Sequence, residues 1–131
     1  MESVAKKSIL IVDDDPVNIM HLTEILGDEY VLFAAKDGIT AIKKAQERLP
    51  NLILLDIIMP NMTGYEVLEQ LKAFPTLKEI PIIFITGLDE REDAKLAPYA
   101  ETVDFISKPF KSEVVKQCIA NQLEFATTNK V

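Results

Sequence analysis

Cysteine occurs once in the 131-residue chain, as Cys118, and histidine once, as His21. A single cysteine excludes an internal disulfide and fits a reducing compartment. His21 has no metal-ligand partner at useful spacing, so it reads as a surface or packing residue on the first helical segment. Long apolar runs are missing too: none approaches the roughly 18 residues needed to span a bilayer. The N-terminal stretch MESVAKKS carries no signal-peptide core. The expectation is a cytoplasmic chain with no membrane partner. Positive charge is also scarce, with 14 Lys and Arg against 21 Asp and Glu and a formal net charge of −7. Phosphate contacts need a basic surface, so direct nucleic-acid binding is excluded. The surplus of carboxylates suits a protein that handles a cation.

What is present is ordinary for a globular domain: 48% apolar and 27% charged residues, in a length that gives one domain with a real core. Short apolar runs alternate with stretches of helical period. The runs 8–12, 30–35, 51–55, 81–85 and 103–106 are rich in β-branched and aromatic residues and mostly continuous rather than alternating. That pattern predicts parallel strands covered on both faces. Between and after them the spacing predicts five helices: 16–26, closed by Gly27; 39–49, ended by Pro50; 65–74, ended by Pro75; an acidic one over about 90–97; and 112 to about 125. The last has Ser112 as a cap and an apolar stripe of Val115, Cys118, Ile119 and Gln122, which places Cys118 in the core. Strict alternation of strand and helix implies an α/β, doubly wound (βα)5 architecture with right-handed crossovers. Residues 1–7 are expected to be flexible, 8–125 to form the domain and 126–131 to fray.

The chemistry sits where the strands end. Strand one runs into Asp13-Asp14-Asp15, strand three into Asp56, strand four into Thr86-Gly87 and strand five into SKPF with Lys108. In an open α/β sheet the ligand crevice lies beyond the carboxyl ends of the strands. With strand one between strands two and three, Asp13, Asp14 and Asp56 become neighbours there, and Thr86 and Lys108 line the rim. Three adjacent aspartates repel one another, and a hard divalent cation such as Mg²⁺ relieves that repulsion. A carboxylate can act as a nucleophile toward phosphorus. Lys108 and the cation then neutralise the phosphoryl charge, and Thr86 supplies a hydrogen-bond donor. Asp15, adjacent to Pro16, is assigned to capping the first helix.

The segments ILIVDDDPVN, LLDIIMPNMTGYEVL, PIIFITG and VDFISKPF, in that order and spacing, resemble the four signature segments of the response-regulator receiver domain of two-component signalling, over about residues 8–123. The resemblance implies a flavodoxin-like sandwich with a five-stranded parallel sheet in order 2-1-3-4-5. It implies that Asp56 accepts a phosphoryl group from a histidine kinase or phosphotransfer protein. Asp13, Asp14, Asp56 and the backbone carbonyl of Ile58 would hold Mg²⁺, with Asp13 acting largely through a bound water. Lys108 would pair with Asp56, Thr86 would swing toward the phosphoryl oxygen, and Phe105 would be the aromatic switch that moves with it. The Lys108–Pro109 bond would be cis. Output would pass through the fourth and fifth helices and the fifth strand to an unknown downstream protein or domain.

Two features depart from the pattern. Ile58 and Leu88, each two residues past a site residue, are apolar where polar side chains often orient a hydrolytic water, which predicts a long-lived phosphorylated state. Pro98 should end or kink the fourth helix, and Glu101-Thr102 replaces the usual small pair before strand five. A flavin-phosphate carrier of the same fold would need a Ser/Thr/Gly-rich loop after strand one, where this chain is triply anionic. A phosphatase using an aspartate nucleophile would need an acid two residues on, where this chain has Ile58. The reading is a regulated signalling module without turnover of a small substrate; whether it stands alone or forms part of a larger regulator is left open.

Overall fold

The three central apolar runs become strands because both of their faces find a covering layer, and the two outer ones are partly covered. The structure, a computed structural model, describes residues 6–87 and 104–128. Its elements are β1 (Ser8–Val12), α1 (Pro16–Leu26), β2 (Val31–Ala35), α2 (Gly38–Arg48), β3 (Leu52–Asp56), α3 (Gly64–Lys72), β4 (Ile82–Thr86), β5 (Asp104–Ser107) and α4 (Ser112–Thr128). The strands are parallel and ordered β2-β1-β3-β4-β5, the order the resemblance implied. Successive side chains point to opposite faces. Leu10, Val12, Ile53, Leu55 and Phe84 therefore join one core layer with α2 and α3, and Ile9, Ile11, Leu52, Leu54, Ile83 and Ile85 join the other with α1 and α4. This two-sided burial explains why the strands show no polar alternation.

Helix starts are fixed by local chemistry. Asp15 caps α1, its carboxylate accepting from Val17 N at 2.9 Å, as expected. Asp37 caps α2, accepting from Thr40 N at 2.7 Å and from the Thr40 hydroxyl at 3.0 Å. Those bonds hold the Asp37 carboxyl below its usual range. Thr63 and Glu66 form a reciprocal capping box at the start of α3. The α2 helix ends in a left-handed Leu49 (φ 46°), since the position before Pro50 disfavours the helical conformation.

Several boundaries move. The sheet's hydrogen bonding reaches back to Lys7, whose carbonyl accepts from Val31 N at 2.9 Å. Helices α2 and α3 each begin one residue before the expected start. The last helix continues past Phe125 to Thr128, with no glycine or proline there to stop it. Cys118 is half-buried rather than a plain core residue, and its thiol donates to Asp104 Oδ2 at 3.2 Å. Burial first, and Asp104 second, push the thiol up to about 12. His21 is exposed and stands edge-on to Phe110, with ring centroids 5.5 Å apart. The expected acidic helix 90–97, Pro98, the pair Glu101-Thr102 and Leu88 lie outside the described residues. Among the described residues, no helix is long and apolar enough to cross a membrane.

Candidate functional site

The strand register places the ends of β1, β3, β4 and β5 side by side. Val12 pairs with Leu55, Asp56 with Ile85 and Thr86 with Ser107. The residues that close or succeed these strands therefore meet at one edge of the sheet, and they are polar. Asp13 and Thr86 are fully buried and Asp56 nearly so, the three buried polar side chains of the described core. Asp14 is exposed. Carboxylate oxygens of Asp13, Asp14 and Asp56 lie within 4.8 Å of one another.

Each member is held by its own backbone neighbourhood. Asp13 N donates to Ala35 O at 3.1 Å, tying it to the end of β2, and Asp13 Oδ1 accepts from Asp15 N at 2.9 Å. Asp13 Oδ2 is buried and accepts no hydrogen bond among the described residues; Lys108 Nζ stands 3.9 Å from it. Lys108 Nζ is also 3.6 Å from Asp56 Oδ1. Its backbone is fixed by donation from Lys108 N to Thr86 O at 2.9 Å, and the Lys108–Pro109 bond is cis. The lysine thus reaches over the strand ends from β5 while its stem stays partly in solvent.

Thr86 Oγ1 donates to Gly87 O at 2.8 Å, so its hydroxyl faces its own loop. Phe105 is half-buried, its ring 5.8 Å from that of Phe84, which in turn meets Tyr65 edge-on at 5.7 Å. Ile58 is 54% exposed beside the buried Asp56. Its backbone carbonyl accepts no hydrogen bond among the described residues, while the preceding carbonyl, Ile57 O, accepts from Gly64 N at 2.8 Å.

The structure therefore brings together Asp13, Asp14, Asp56 and Lys108, with Thr86 buried at the end of β4 and its hydroxyl bonded to Gly87 O. A buried carboxylate oxygen without a donor and two further carboxylates form an all-oxygen set. Such a set fits a hard divalent cation that keeps several waters, as Mg²⁺ does. Sequence reasoning missed how closely Gly64 packs against Asp56, where a Cβ would lie 2.5 Å from the Asp56 carbonyl oxygen. The signal available was the capping motif Thr63-x-x-Glu66, which marks a helix beginning at that glycine.

Residues 9–120 match the family model described as response regulator receiver domain. A probable cyclic di-GMP phosphodiesterase from Vibrio cholerae is 38% identical over 124 residues, which cover 95% of this chain and 28% of that protein. Response regulator PleD from Caulobacter vibrioides is 40% identical over 77% of this chain and 22% of its own length. The chain thus spans about a quarter of the length of these curated relatives. Protein PilH from Pseudomonas aeruginosa is 30% identical over 85% of this chain and 93% of its own length. Among solved structures, the receiver domain of sensor histidine kinase PA1611 from Pseudomonas aeruginosa superposes with a TM-score of 0.82 at 27% identity, covering 92% of this chain and 99% of that one. That structure has a magnesium ion coordinated in its active-site cleft.

Proposed function

The chain belongs to the response regulator receiver domain family, and on that premise we propose that Asp56 is its phosphoacceptor. The general role of the family is to receive a phosphoryl group in two-component signalling. A receiver is a signalling module, and the phosphodiesterase named among the relatives is a longer protein. In this chain an Asp56 carboxylate oxygen attacks the phosphorus of a phosphohistidine on a sensor kinase or phosphotransfer protein. The P–N bond breaks, its electron pair leaves with the donor imidazole, and the phosphoryl group ends on Asp56.

Asp13, Asp14, Asp56 and the Ile58 carbonyl would hold Mg²⁺, which when bound supplies charge neutralisation for the incoming phosphoryl oxygens. Lys108 supplies a second positive charge from the β5 side. The Thr86 hydroxyl, now bonded to Gly87 O, exchanges that carbonyl for a phosphoryl oxygen. Phe105 then follows into the space beside Phe84, biasing β5 and the segments flanking it toward a partner-binding arrangement. Output would pass through the expected fourth helix, β5 and α4 to a downstream protein or domain, with slow self-dephosphorylation the remaining activity. The reading places the protein in the cytoplasm and without direct nucleic-acid contacts.

The observation that carries this reading is the buried Asp56 carboxylate, 3.6 Å from Lys108 Nζ inside a three-carboxylate cluster. Intact mass after incubation with Mg²⁺ and acetyl phosphate tests it. One added phosphoryl group on the wild type and none on Asp56→Asn is the expected result. Equal addition to both would move the acceptor elsewhere.

A further inference from the structure

Gly64 stands at the first turn of α3, and its place is tighter than a helix start requires. A Cβ built there would lie 2.5 Å from Asp56 O, 2.9 Å from Ile57 Cα and 3.1 Å from Asp56 C. All three are backbone atoms, so no side chain can turn aside to make room. At the same time Gly64 N donates to Ile57 O at 2.8 Å. The loop that leaves β3 after Asp56 is therefore closed back onto Asp56 by α3, in bare backbone-to-backbone contact. The reciprocal bonds of Thr63 and Glu66, 3.1 Å from Thr63 N to Glu66 Oε1 and 3.3 Å from Glu66 N to Thr63 Oγ1, fix the helix start that makes this contact. On its far side the Asp56 backbone is held by β4, through the pairing of Asp56 with Ile85 and donation from Ile57 N to Ile85 O at 3.3 Å.

We propose that Gly64 is a positioning residue for phosphoryl transfer: by seating α3 directly on the Asp56–Ile57 peptide, it sets where the Asp56 carboxylate and the Ile58 carbonyl stand. The proposal rests on the reading of Asp56 as phosphoacceptor. It assigns to Gly64 more than the shape of a loop. A methyl group at position 64 needs about 1 Å of retreat by α3 or by the Asp56 peptide to reach ordinary contact. Misplacement on that scale costs on the order of 100-fold in a positioned reaction. The same retreat stretches the bond from Gly64 N to Ile57 O, which leaves the loop carrying Ile58 without its closure.

A control of matched sterics exists at the C-terminal end of α1. A Cβ at Gly27 would meet the backbone oxygen of Thr23 at 2.7 Å, a comparable clash against a carbonyl remote from Asp56. The experiment compares Gly64→Ala with Gly27→Ala for thermal unfolding, for the rate of Asp56 phosphorylation by acetyl phosphate at saturating Mg²⁺, and for the amide resonances of Asp56 and Ile57. The expected result is loss of stability in both variants. The phosphorylation rate falls on the order of 10- to 100-fold in Gly64→Ala alone, and the two amides shift in that variant alone.

If Gly64→Ala does not fold, Thr63→Ala loosens the same helix start without adding bulk, and Asp37→Ala removes the equivalent cap from α2. The rate should then fall in Thr63→Ala and not in Asp37→Ala. Rates within about twofold of wild type in Gly64→Ala, or equal rates in the two cap variants, overturn the proposal while leaving Asp56 as acceptor. A wild-type chain that gains no phosphoryl group overturns the underlying reading instead.

Discussion

Replacing Asp13 with asparagine should stabilise this protein in the absence of divalent cations. Asp13 is fully buried, and its carboxylate lies within 4.8 Å of those of Asp14 and Asp56. At that separation and an effective dielectric constant of about 20, each like-charge pair costs about 3.5 kcal/mol. Lys108 Nζ, 3.9 Å away, returns about 4 kcal/mol by the same arithmetic. The Lys108 side chain is 31% exposed and Asp14 lies in solvent, so both of those contributions shrink through screening. The repulsion between the two buried carboxylates, Asp13 and Asp56, does not. Asparagine keeps the shape and the oxygen that accepts from Asp15 N, and it removes the charge together with its burial cost. The expected gain is about 2 kcal/mol, or about 6 °C in Tm for a domain of this size. Circular dichroism melts at low ionic strength with chelator, then with Mg²⁺, measure it. Mg²⁺ at ten times its Kd should add about 1.4 kcal/mol to the wild type and much less to Asp13→Asn. A variant less stable than wild type without metal, or one stabilised equally by Mg²⁺, would refute the reasoning.

Ile58→Asn combined with Leu88→Glu should shorten the life of the phosphorylated state severalfold, because a polar pair can orient the attacking water; an unchanged decay by intact mass would count against it. Cys118, with its thiol pushed up to about 12, should alkylate at pH 8 about a thousandfold more slowly than an ordinary exposed thiol, and Asp104→Asn should speed it. Because that thiol holds its proton more tightly folded than unfolded, its contribution to stability is constant below about pH 9 and declines as pH rises toward 12. Asp37→Ala should cost about 1 kcal/mol at neutral pH. The folded-state shift of Asp37 is downward, so the benefit of this cap is present above its ordinary value of 3.8 and fades as pH falls through that region. Urea titrations of both proteins across pH check this.

The fold and the site's polar cluster were legible in the sequence for one physical reason. Parallel strands buried on both faces are written as short continuous apolar runs, and the residues directly after them are placed at the sheet's edge by chain connectivity alone. Asp13, Asp14, Asp56 and Lys108 sit in that position and were found. Contacts between side chains far apart in sequence were not legible. The Cys118–Asp104 hydrogen bond joins a helix to an edge strand, and nothing near either residue signals the other. Lys44 Nζ reaches Ala34 O on the edge strand β2 in the same unannounced way. The turn of Thr86 Oγ1 toward Gly87 O is a rotamer choice, which composition does not encode. Leu49 is a middle case: Pro50 marks the end of α2, but a left-handed leucine is a strained solution, chosen because the chain must reach β3 at once.

The order in which the site is assembled has its own consequence. Asp13, Asp56 and Thr86 leave the ribosome before Lys108, which comes last and from the edge strand β5. At the usual pace of synthesis the roughly fifty residues after Asp56 take several seconds. During that time the aspartates exist without the ammonium that faces them in the finished fold. A nascent or truncated chain lacking β5 holds Asp56 but not its counter-charge. Completion of the sheet therefore also completes the charge balance of the cluster, because the ammonium that faces Asp13 and Asp56 arrives with the last strand.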